Sequence, residues 1–186
     1  MWQRALELLT AYRAVVFDLD GTVLMLKVDW RAAQREMADL ASASTGRDFA
    51  GMSVWEILRS TKGHTREALE ALLRKREVEG AEEAEKKALA DLFILLKGFK
   101  RGIVSMNSKA SCEIALQRAG IRQYVDVLVA REDTERLKPD PEPLLRCIQL
   151  LGHAPGDSVF IGDRERDRIT AVRAGTDFYS PEDLVG

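Results

Sequence analysis

The sequence predicts an α/β fold: a parallel sheet with helices on both faces, and a small all-helical segment inserted after the first strand. Three observations support this prediction. Short apolar runs alternate with helical patterns after residue 100, residues 26–96 show helical patterns without a convincing strand, and the polar motifs directly follow apolar runs. The chain has 186 residues, 46% of them hydrophobic, and is therefore long enough to bury its own core. The alternating part is a Rossmann-like pattern.

The first part of the chain predicts a short helix, a buried strand and a helical insertion. Residues 2–13 have apolar positions near helical spacing, and residues 14–17 are a continuous apolar run, typical of a strand buried on both faces. The helical residues 26–96 would separate two parts of a core domain, residues 1–25 and 97–186. Their predicted helices are Asp29–Ala43, Ser53–Ser60, Thr65–Glu79 and Ala81–Lys97, with Thr65 as an N-cap, Gly80 as a break and Gly98 as a stop.

Strands and helices alternate in the C-terminal part. Several helices end at a glycine, and Asp140 followed by Pro141 is a favoured helix start. Parallel strands joined by helices bring their carboxyl ends to one edge of the sheet, where ligands of such folds bind. The predicted strands are residues 101–105, 125–130, 158–161 and 178–179, and the predicted helices are residues 109–119, 141–151 and 165–174.

Composition and charge exclude several classes of function. Charged residues make up 31% of the chain but balance to a net charge of −2, whereas binding to nucleic acids or membranes normally requires a strong positive field. Arg4 and Glu7 interrupt the apolar run that an export signal needs. Cys112 and Cys147 lie in apolar helical contexts, which predicts buried free thiols in a reducing compartment. We therefore expect a cytoplasmic protein that binds neither nucleic acid nor membrane.

The first motif that could carry chemistry is Asp18-Leu19-Asp20-Gly21-Thr22, directly after the first strand. Two carboxylates in an apolar setting repel each other unless a proton or a cation offsets their charge, and a divalent metal ion is the natural compensation. Gly21 allows the backbone to approach a ligand closely. The alternative interpretation is an ordinary turn whose aspartates cap a helix. For this motif alone, both interpretations stay open.

Three further motifs lie at strand ends or before helices. Ser105 ends a strand and offers a hydroxyl to a phosphate oxygen, although a turn with Ser108 as a helix cap explains the same residues. Lys138 stands before a proline, which keeps it out of a helix and leaves its ammonium able to neutralise a phosphate. Asp163 is a candidate metal ligand, and Asp167, one helical turn later, is placed to orient Asp163 or Lys138. A helix dipole would also favour both acids.

In their order along the chain, these motifs resemble those of the haloacid dehalogenase-like hydrolase superfamily, and most closely its phosphoglycolate phosphatase branch. The resemblance covers nearly the whole chain, and the helical residues 26–96 occupy the position of that family's cap domain. The matching residues are the motif from Asp18 to Thr22, Ser105, Lys138 to Pro141, Gly162-Asp163 with Asp167, Ala171 and Ala174-Gly175.

The resemblance implies an enzyme that hydrolyses a small phosphorylated metabolite, phosphoglycolate-like, with Mg²⁺ as cofactor. Asp18 would attack phosphorus and form an aspartyl-phosphate, and Asp20 would act as general acid and then as general base. The Mg²⁺ ligands would be the Asp18 carboxylate, the Asp20 backbone carbonyl and Asp163. The ion would offset the charge of the approaching phosphate.

The resemblance also implies which residues surround the phosphoryl group. Ser105 and Lys138 would bind it and stabilise its charge, and Asp167 would hold Lys138 in place. The chain departs from the family where Met106 separates Ser105 from Asn107, because many relatives have asparagine directly after this serine or threonine. Ser105 is therefore the predicted ligand, and Asn107 has no predicted role.

Other activities stay open from the sequence. A phosphomutase or phosphonate hydrolase on the same fold is possible, although no lysine of the insertion stands in a recognisable Schiff-base motif. A dehalogenase is disfavoured because that branch lacks the second acid, here Asp20. A non-catalytic binding protein is disfavoured because the motif acids and lysine are all present. Arg164, Arg166 and Arg168 crowd the Gly-Asp loop, where they either attract anionic substrates or are simply exposed. Either a monomer or a homodimer fits the sequence.

Overall fold

Strands and helices alternate along residues 2–185, the part of the chain that a computed structural model describes. The strands are β1 (Ala14–Asp18), β2 (Leu24–Met25), β3 (Glu85–Lys86), β4 (Lys100–Val104), β5 (Val127–Val129), β6 (Ser158–Ile161) and β7 (Asp177–Tyr179). The α-helices are α1 (Gln3–Leu9), α2 (Trp30–Thr45), α3 (Val54–Ser60), α4 (Gly63–Glu82), α5 (Leu89–Leu95), α6 (Lys109–Arg118), α7 (Glu142–Leu151), α8 (Glu165–Ala174) and α9 (Pro181–Leu184).

Five of the strands form one parallel sheet in the order β5-β4-β1-β6-β7. The central strand is β1, in which Phe17 stands beside Ile103 of β4 on one side and Ile161 of β6 on the other. Every residue of β1 is buried, as expected for an apolar strand with neighbours on both edges and helices on both faces. Two apolar clusters contain residues of this sheet and its helices. The predicted α/β fold with a Rossmann-like sheet is confirmed.

The first helices of the insertion build an apolar cluster of their own. Asp29 caps α2 by accepting a hydrogen bond of 2.9 Å from the amide of Ala32, and Ser53 with Glu56 forms a capping box at α3. Both caps satisfy amides that a helix start would otherwise leave unpaired. The fully buried side chains between α2, α3 and α4 include Met37, Phe49, Ile57, Leu69 and Leu73.

The fourth helix differs from the prediction at both ends. It begins at Gly63, so Thr65 is not its N-cap, and it continues past Gly80, which is not a break. A Cβ on Gly80 would lie 2.7 Å from the backbone nitrogen of Val28, and the Gly80 carbonyl accepts a hydrogen bond of 2.9 Å from the amide of Lys27. Glycine is required here because the chain entering the insertion packs directly against the helix backbone.

The predicted helix Ala81–Lys97 is wrong, because the end of α4, strand β3 and helix α5 divide this stretch. Strand β3 pairs antiparallel with β2, and α5 begins only afterwards. The apolar face of α5 packs on the sheet rather than on the helical cluster, with the ring of Phe93 5.1 Å from that of Phe17. The point at which the chain stops packing in the helical cluster and starts packing on the sheet therefore lies nearer residue 80 than residue 96. The division into a core domain and an inserted cap stays a prediction.

Two further expectations concern membranes and thiols. Within residues 2–185, no helix combines the length and the apolar character needed to cross a membrane. Cys112 and Cys147 are buried and free, as predicted. Burial raises the pKa of the Cys112 thiol to about 12, which keeps it protonated and unreactive at neutral pH.

Candidate active site

Most of the predicted motif residues meet in a cavity of about 280 Å³ at the carboxyl ends of the sheet. Asp18 is the last residue of β1, Ser105 directly follows β4, and Lys138 enters from the loop before α7. They converge because parallel strands end at the same edge of the sheet. The insertion helices contribute part of the wall through Trp30, Gln34, Ser53, Val54 and Trp55.

A buried lysine lies between two carboxylates at the base of the cavity. The ammonium of Lys138 donates to Oδ1 of Asp18 and, at 2.6 Å, to Oδ1 of Asp167. The side chains of Lys138, Asp18 and Asp167 are 2%, 9% and 1% exposed. Burial alone would lower the pKa of Lys138, but the two carboxylates outweigh it and raise that pKa. Lys138 is therefore a charged donor in a fixed position, not a solvated loop lysine.

Thr22 connects Asp18 to Asp163. The Thr22 hydroxyl lies 3.1 Å from Oδ2 of Asp18 and 3.1 Å from Oδ1 of Asp163. Gly21 has a φ of +95°, and a Cβ at this position would lie 2.5 Å from Oδ2 of Asp163. The loop can pass this close to the carboxylate only because residue 21 is glycine. Gly21 and Thr22 thus support the geometry of the two acids.

Asp18, Asp163 and Asp167 each offer a carboxylate oxygen within 4.8 Å of the others. Both oxygens of Asp167 are already used, Oδ1 by Lys138 and Oδ2 by the backbone amide of Arg164 at 3.1 Å. Burial raises the pKa of Asp18 to about 6, opposed by Lys138 and reinforced by the other two acids. Lys138 and the exposed Arg164 offset the negative charge of these three acids only in part, and a cluster of hard oxygen donors with negative charge left over fits a Mg²⁺ ion.

Asp20 also lines the cavity but lies apart from that group of three acids. Its Oδ1 accepts a hydrogen bond of 2.9 Å from the amide of Leu26. Burial raises the pKa of Asp20, opposed by this hydrogen bond. A carboxyl that holds its proton more tightly than usual beside a cavity is suited to general acid catalysis.

Ser105 and Asn107 share the turn after β4, on the cavity wall. Ser105 is 5% exposed, and its Oγ accepts a hydrogen bond of 3.2 Å from the amide of Asn107. Asn107 is 3% exposed, and within residues 2–185 no group hydrogen-bonds its Nδ2. The turn therefore places a serine hydroxyl and a buried side-chain amide beside the cavity.

A buried ion pair behind this turn lies outside the residues predicted from sequence. Arg131, in the turn after β5, donates to both carboxylate oxygens of Glu77 on α4, and these side chains are 4% and 0% exposed. Arg131 also donates to the carbonyl of Met106 at 3.0 Å, and Glu77 accepts from the amide of Ser108 at 3.0 Å. The pair ties an insertion helix to the turn that carries Ser105. No local sequence pattern indicates it, because the partners are 54 residues apart.

Comparison with known proteins agrees with this architecture. The family model for haloacid dehalogenase-like hydrolases matches residues 15–180. Pyrophosphatase PpaX of Bacillus cereus strain AH820 is 36% identical over 80 residues, which are 43% of this chain and 37% of that protein. A Clostridium perfringens strain 13 protein provisionally named PpaX is 29% identical over 173 residues, covering 88% of this chain and 80% of that protein. The first alignment thus spans little more than a third of the relative's length.

A solved structure shows the same fold. The crystal structure of a Lactobacillus plantarum protein, provisionally named a phosphoglycolate phosphatase, superposes with a TM-score of 0.65 at 23% identity. The match covers 91% of this chain and 86% of that one. At this level of identity the similarity concerns the fold alone.

Proposed function

Because the chain belongs to the haloacid dehalogenase-like hydrolase family, we propose that it is a Mg²⁺-dependent phosphatase that cleaves a small phosphomonoester through an aspartyl-phosphate. One observation carries this proposal. Asp18 ends the central strand in a cavity, held between the buried ammonium of Lys138 and, through Thr22, the carboxylate of Asp163. An ordinary turn would not bury Lys138 in contact with both Asp18 and Asp167, since burying charge is costly.

In the first chemical step, a carboxylate oxygen of Asp18 attacks phosphorus, and the bond between phosphorus and the leaving-group oxygen breaks. Asp20 donates its proton to that oxygen, and its raised pKa helps it to hold the proton until then. Lys138 and Ser105 bind the oxygens of the transferring phosphoryl group, whose charge they stabilise.

In the second step, a water molecule attacks the phosphorus of the aspartyl-phosphate. Asp20, now ionised, takes the proton of this water, and the bond between phosphorus and the Asp18 oxygen breaks. Phosphate is released, and Asp18 and Asp20 return to their starting protonation states. One water is consumed for each ester cleaved, with no other reactant.

The residues that would hold Mg²⁺ are Asp18 and Asp163 through their carboxylates and Asp20 through its backbone carbonyl. When bound, the ion supplies positive charge that offsets repulsion between the phosphate and the carboxylates. Asp167 positions Lys138, with which it makes the 2.6 Å hydrogen bond. The Thr22 hydroxyl orients the two ligand carboxylates, since it lies 3.1 Å from each.

The size of the cavity, about 280 Å³, suits a small substrate such as phosphoglycolate. The similarity to PpaX favours inorganic pyrophosphate as a second candidate. We further propose that residues 26–96 act as a cap that selects the substrate, because Trp30, Gln34 and Trp55 line the cavity. A cytoplasmic location and a monomeric or homodimeric state remain expectations.

The test is the hydrolysis of an aryl phosphate by the native protein and by Asp18→Asn, with Mg²⁺ and with a chelator. Turnover should require Mg²⁺, and Asp18→Asn should lower it by about 10³-fold or more, because the nucleophile is lost. Asp39→Asn is a matched control, since Asp39 is exposed on α2, and it should turn over normally. Equal activity of native protein and Asp18→Asn would overturn the assignment of the nucleophile. No turnover on any phosphoester would favour a binding protein.

A further inference from the structure

We infer that the site takes substrates whose leaving group carries a second anionic group, and that Arg166 with Asn107 binds it. This inference rests on the proposed function and deepens it. It uses two features that the proposed chemistry leaves unexplained: a cavity-lining arginine without a carboxylate partner, and a buried amide donor without an acceptor.

Arg166 is a half-buried residue of the first turn of α8, and its side chain lines the cavity. Its guanidinium makes one hydrogen bond within residues 2–185, a 3.5 Å contact with the sulfur of Met106. No carboxylate of that part of the chain lies within 4.0 Å of it, whereas Arg164 pairs with Asp163 and Arg168 pairs with Glu165. The positive charge of Arg166 is therefore available to a ligand in the cavity.

Asn107 supplies the second observation. Its side chain is buried on the same wall, yet Nδ2 has no hydrogen-bond partner among the described residues. An unpaired buried donor costs free energy unless a ligand or water satisfies it. The side chain lies beside Asp20 and lowers the pKa of that carboxyl by weak hydrogen bonding, although no contact between the two has the geometry of a full hydrogen bond. A group bound by Asn107 would therefore be next to the acid that protonates the leaving oxygen.

Lys138 and Arg166 reach the cavity from different elements, the loop before α7 and the first turn of α8. Lys138 donates to Asp18, so the transferring phosphoryl group would bind beside these two residues, with Ser105 also lining the cavity. Arg166 and Asn107 are not needed by that group, and they would face the part of the substrate beyond the scissile bond. A guanidinium binds carboxylate or phosphate oxygens through paired, charge-assisted hydrogen bonds. The shared chemistry is an oxyanion on the leaving group, either a carboxylate or a second phosphate.

The experiment compares kcat and KM for three substrates with Mg²⁺: an aryl phosphate, phosphoglycolate and inorganic pyrophosphate. Arg166→Gln should lower kcat/KM for one or both doubly anionic substrates by about 10- to 100-fold, chiefly through KM, and change the aryl phosphate less than about threefold. Arg166→Lys should recover part of the loss, and Asn107→Ala should show a smaller loss on the same substrates. The matched control is Arg168→Gln, which removes the same charge from the same helix outside the cavity, and it should change none of them. The more affected substrate identifies the oxyanion as carboxylate or phosphate.

A binding measurement separates failure of this inference from failure of the proposed function. In the Asp18→Asn background, calorimetry with pyrophosphate and Mg²⁺ should show binding that Arg166→Gln weakens about tenfold or more and Arg168→Gln does not. If the native protein hydrolysed none of the three substrates but this binding pattern was observed, the proposed function would be wrong and the anion site would stand. Normal Asp18-dependent turnover that Arg166→Gln leaves unchanged, or lowers equally on all three substrates, would overturn the inference and keep the function.

Discussion

Ionising Asp18 should destabilise the metal-free protein, and the structure gives the size of the effect. Burial raises the pKa of Asp18 from its ordinary value of 3.8 to about 6. The folded chain thus binds this proton more tightly than the unfolded chain does. The resulting stabilisation is fully present below about pH 4 and is lost as the pH rises to about 6 and beyond. Since one pKa unit corresponds to about 1.4 kcal/mol, the loss in the free energy of unfolding is about 3 kcal/mol.

The perturbation that isolates this effect is Asp18→Asn, which removes the titrating group and keeps its shape. Urea unfolding of the native protein and the variant in chelator, from about pH 4 to pH 8, measures both free energies of unfolding. The native value minus the variant value should fall by about 2 kcal/mol between pH 4 and pH 6, a little further up to about pH 7, and then stay constant. Titration of distant groups cancels in this difference.

A difference that does not change with pH would refute the reasoning, because it would mean that Asp18 titrates alike in the folded and unfolded chain. Mg²⁺ provides a second arm of the experiment. At pH 7 a saturating excess should stabilise the native protein, whose ionised Asp18 is a ligand, and should stabilise Asp18→Asn much less. Equal stabilisation of both proteins by Mg²⁺ would mean that Asp18 is not a ligand of the ion.

Three further substitutions test other groups of the site and its support. Glu77→Gln leaves the buried Arg131 guanidinium with Glu70, 3.0 Å away, as its remaining charge partner and should lower the free energy of unfolding by about 2 kcal/mol, measured in urea. Gly21→Ala places a Cβ 2.5 Å from a carboxylate oxygen of the proposed metal site and should weaken Mg²⁺ binding about tenfold or more by calorimetry. Asp20→Asn should lower turnover about 10²- to 10⁴-fold, with a smaller change in Mg²⁺ affinity.

Controls and contrary outcomes are specific to each substitution. Gly46 also has positive φ, but a Cβ there meets nothing within 4 Å, so Gly46→Ala should cost stability without affecting Mg²⁺. Equal loss of Mg²⁺ affinity in Gly21→Ala and Gly46→Ala would contradict the steric argument. A Glu77→Gln protein as stable as the native one would mean that the buried pair is not needed. Normal turnover of Asp20→Asn at saturating Mg²⁺ would mean that Asp20 does not act as the general acid and base.

The convergence of Asp18, Ser105 and Lys138 could be predicted from sequence because it follows from one topological rule. Each residue stands at or near the end of an apolar run or before a helix, and a parallel sheet brings those ends together. The burial of Lys138 could not be predicted in the same way. A lysine in a proline-rich loop is usually solvated, and its two acidic partners are 29 and 120 residues away.

The insertion was predicted less well because tertiary contacts decide its local structure. Gly80 is typical of a helix break, yet the helix continues because the chain at Val28 packs against the small residue. The face formed by Leu89, Leu92 and Phe93 is helical, as predicted, but the two-residue strand before it is exposed and carries no apolar alternation. That strand forms only because β2 offers it a partner.

The measurement that tests the central claim most directly is detection of the phosphoryl group on Asp18. The native protein and Asp20→Asn are mixed with Mg²⁺ and an aryl phosphate, quenched in acid and mapped by mass spectrometry. The peptide that contains Asp18 should carry one phosphoryl group, most abundantly in Asp20→Asn because hydrolysis of the intermediate is slowed, and Asp18→Asn should carry none. A phosphoryl group on another residue, or Mg²⁺-dependent turnover that persists in Asp18→Asn, would contradict the account.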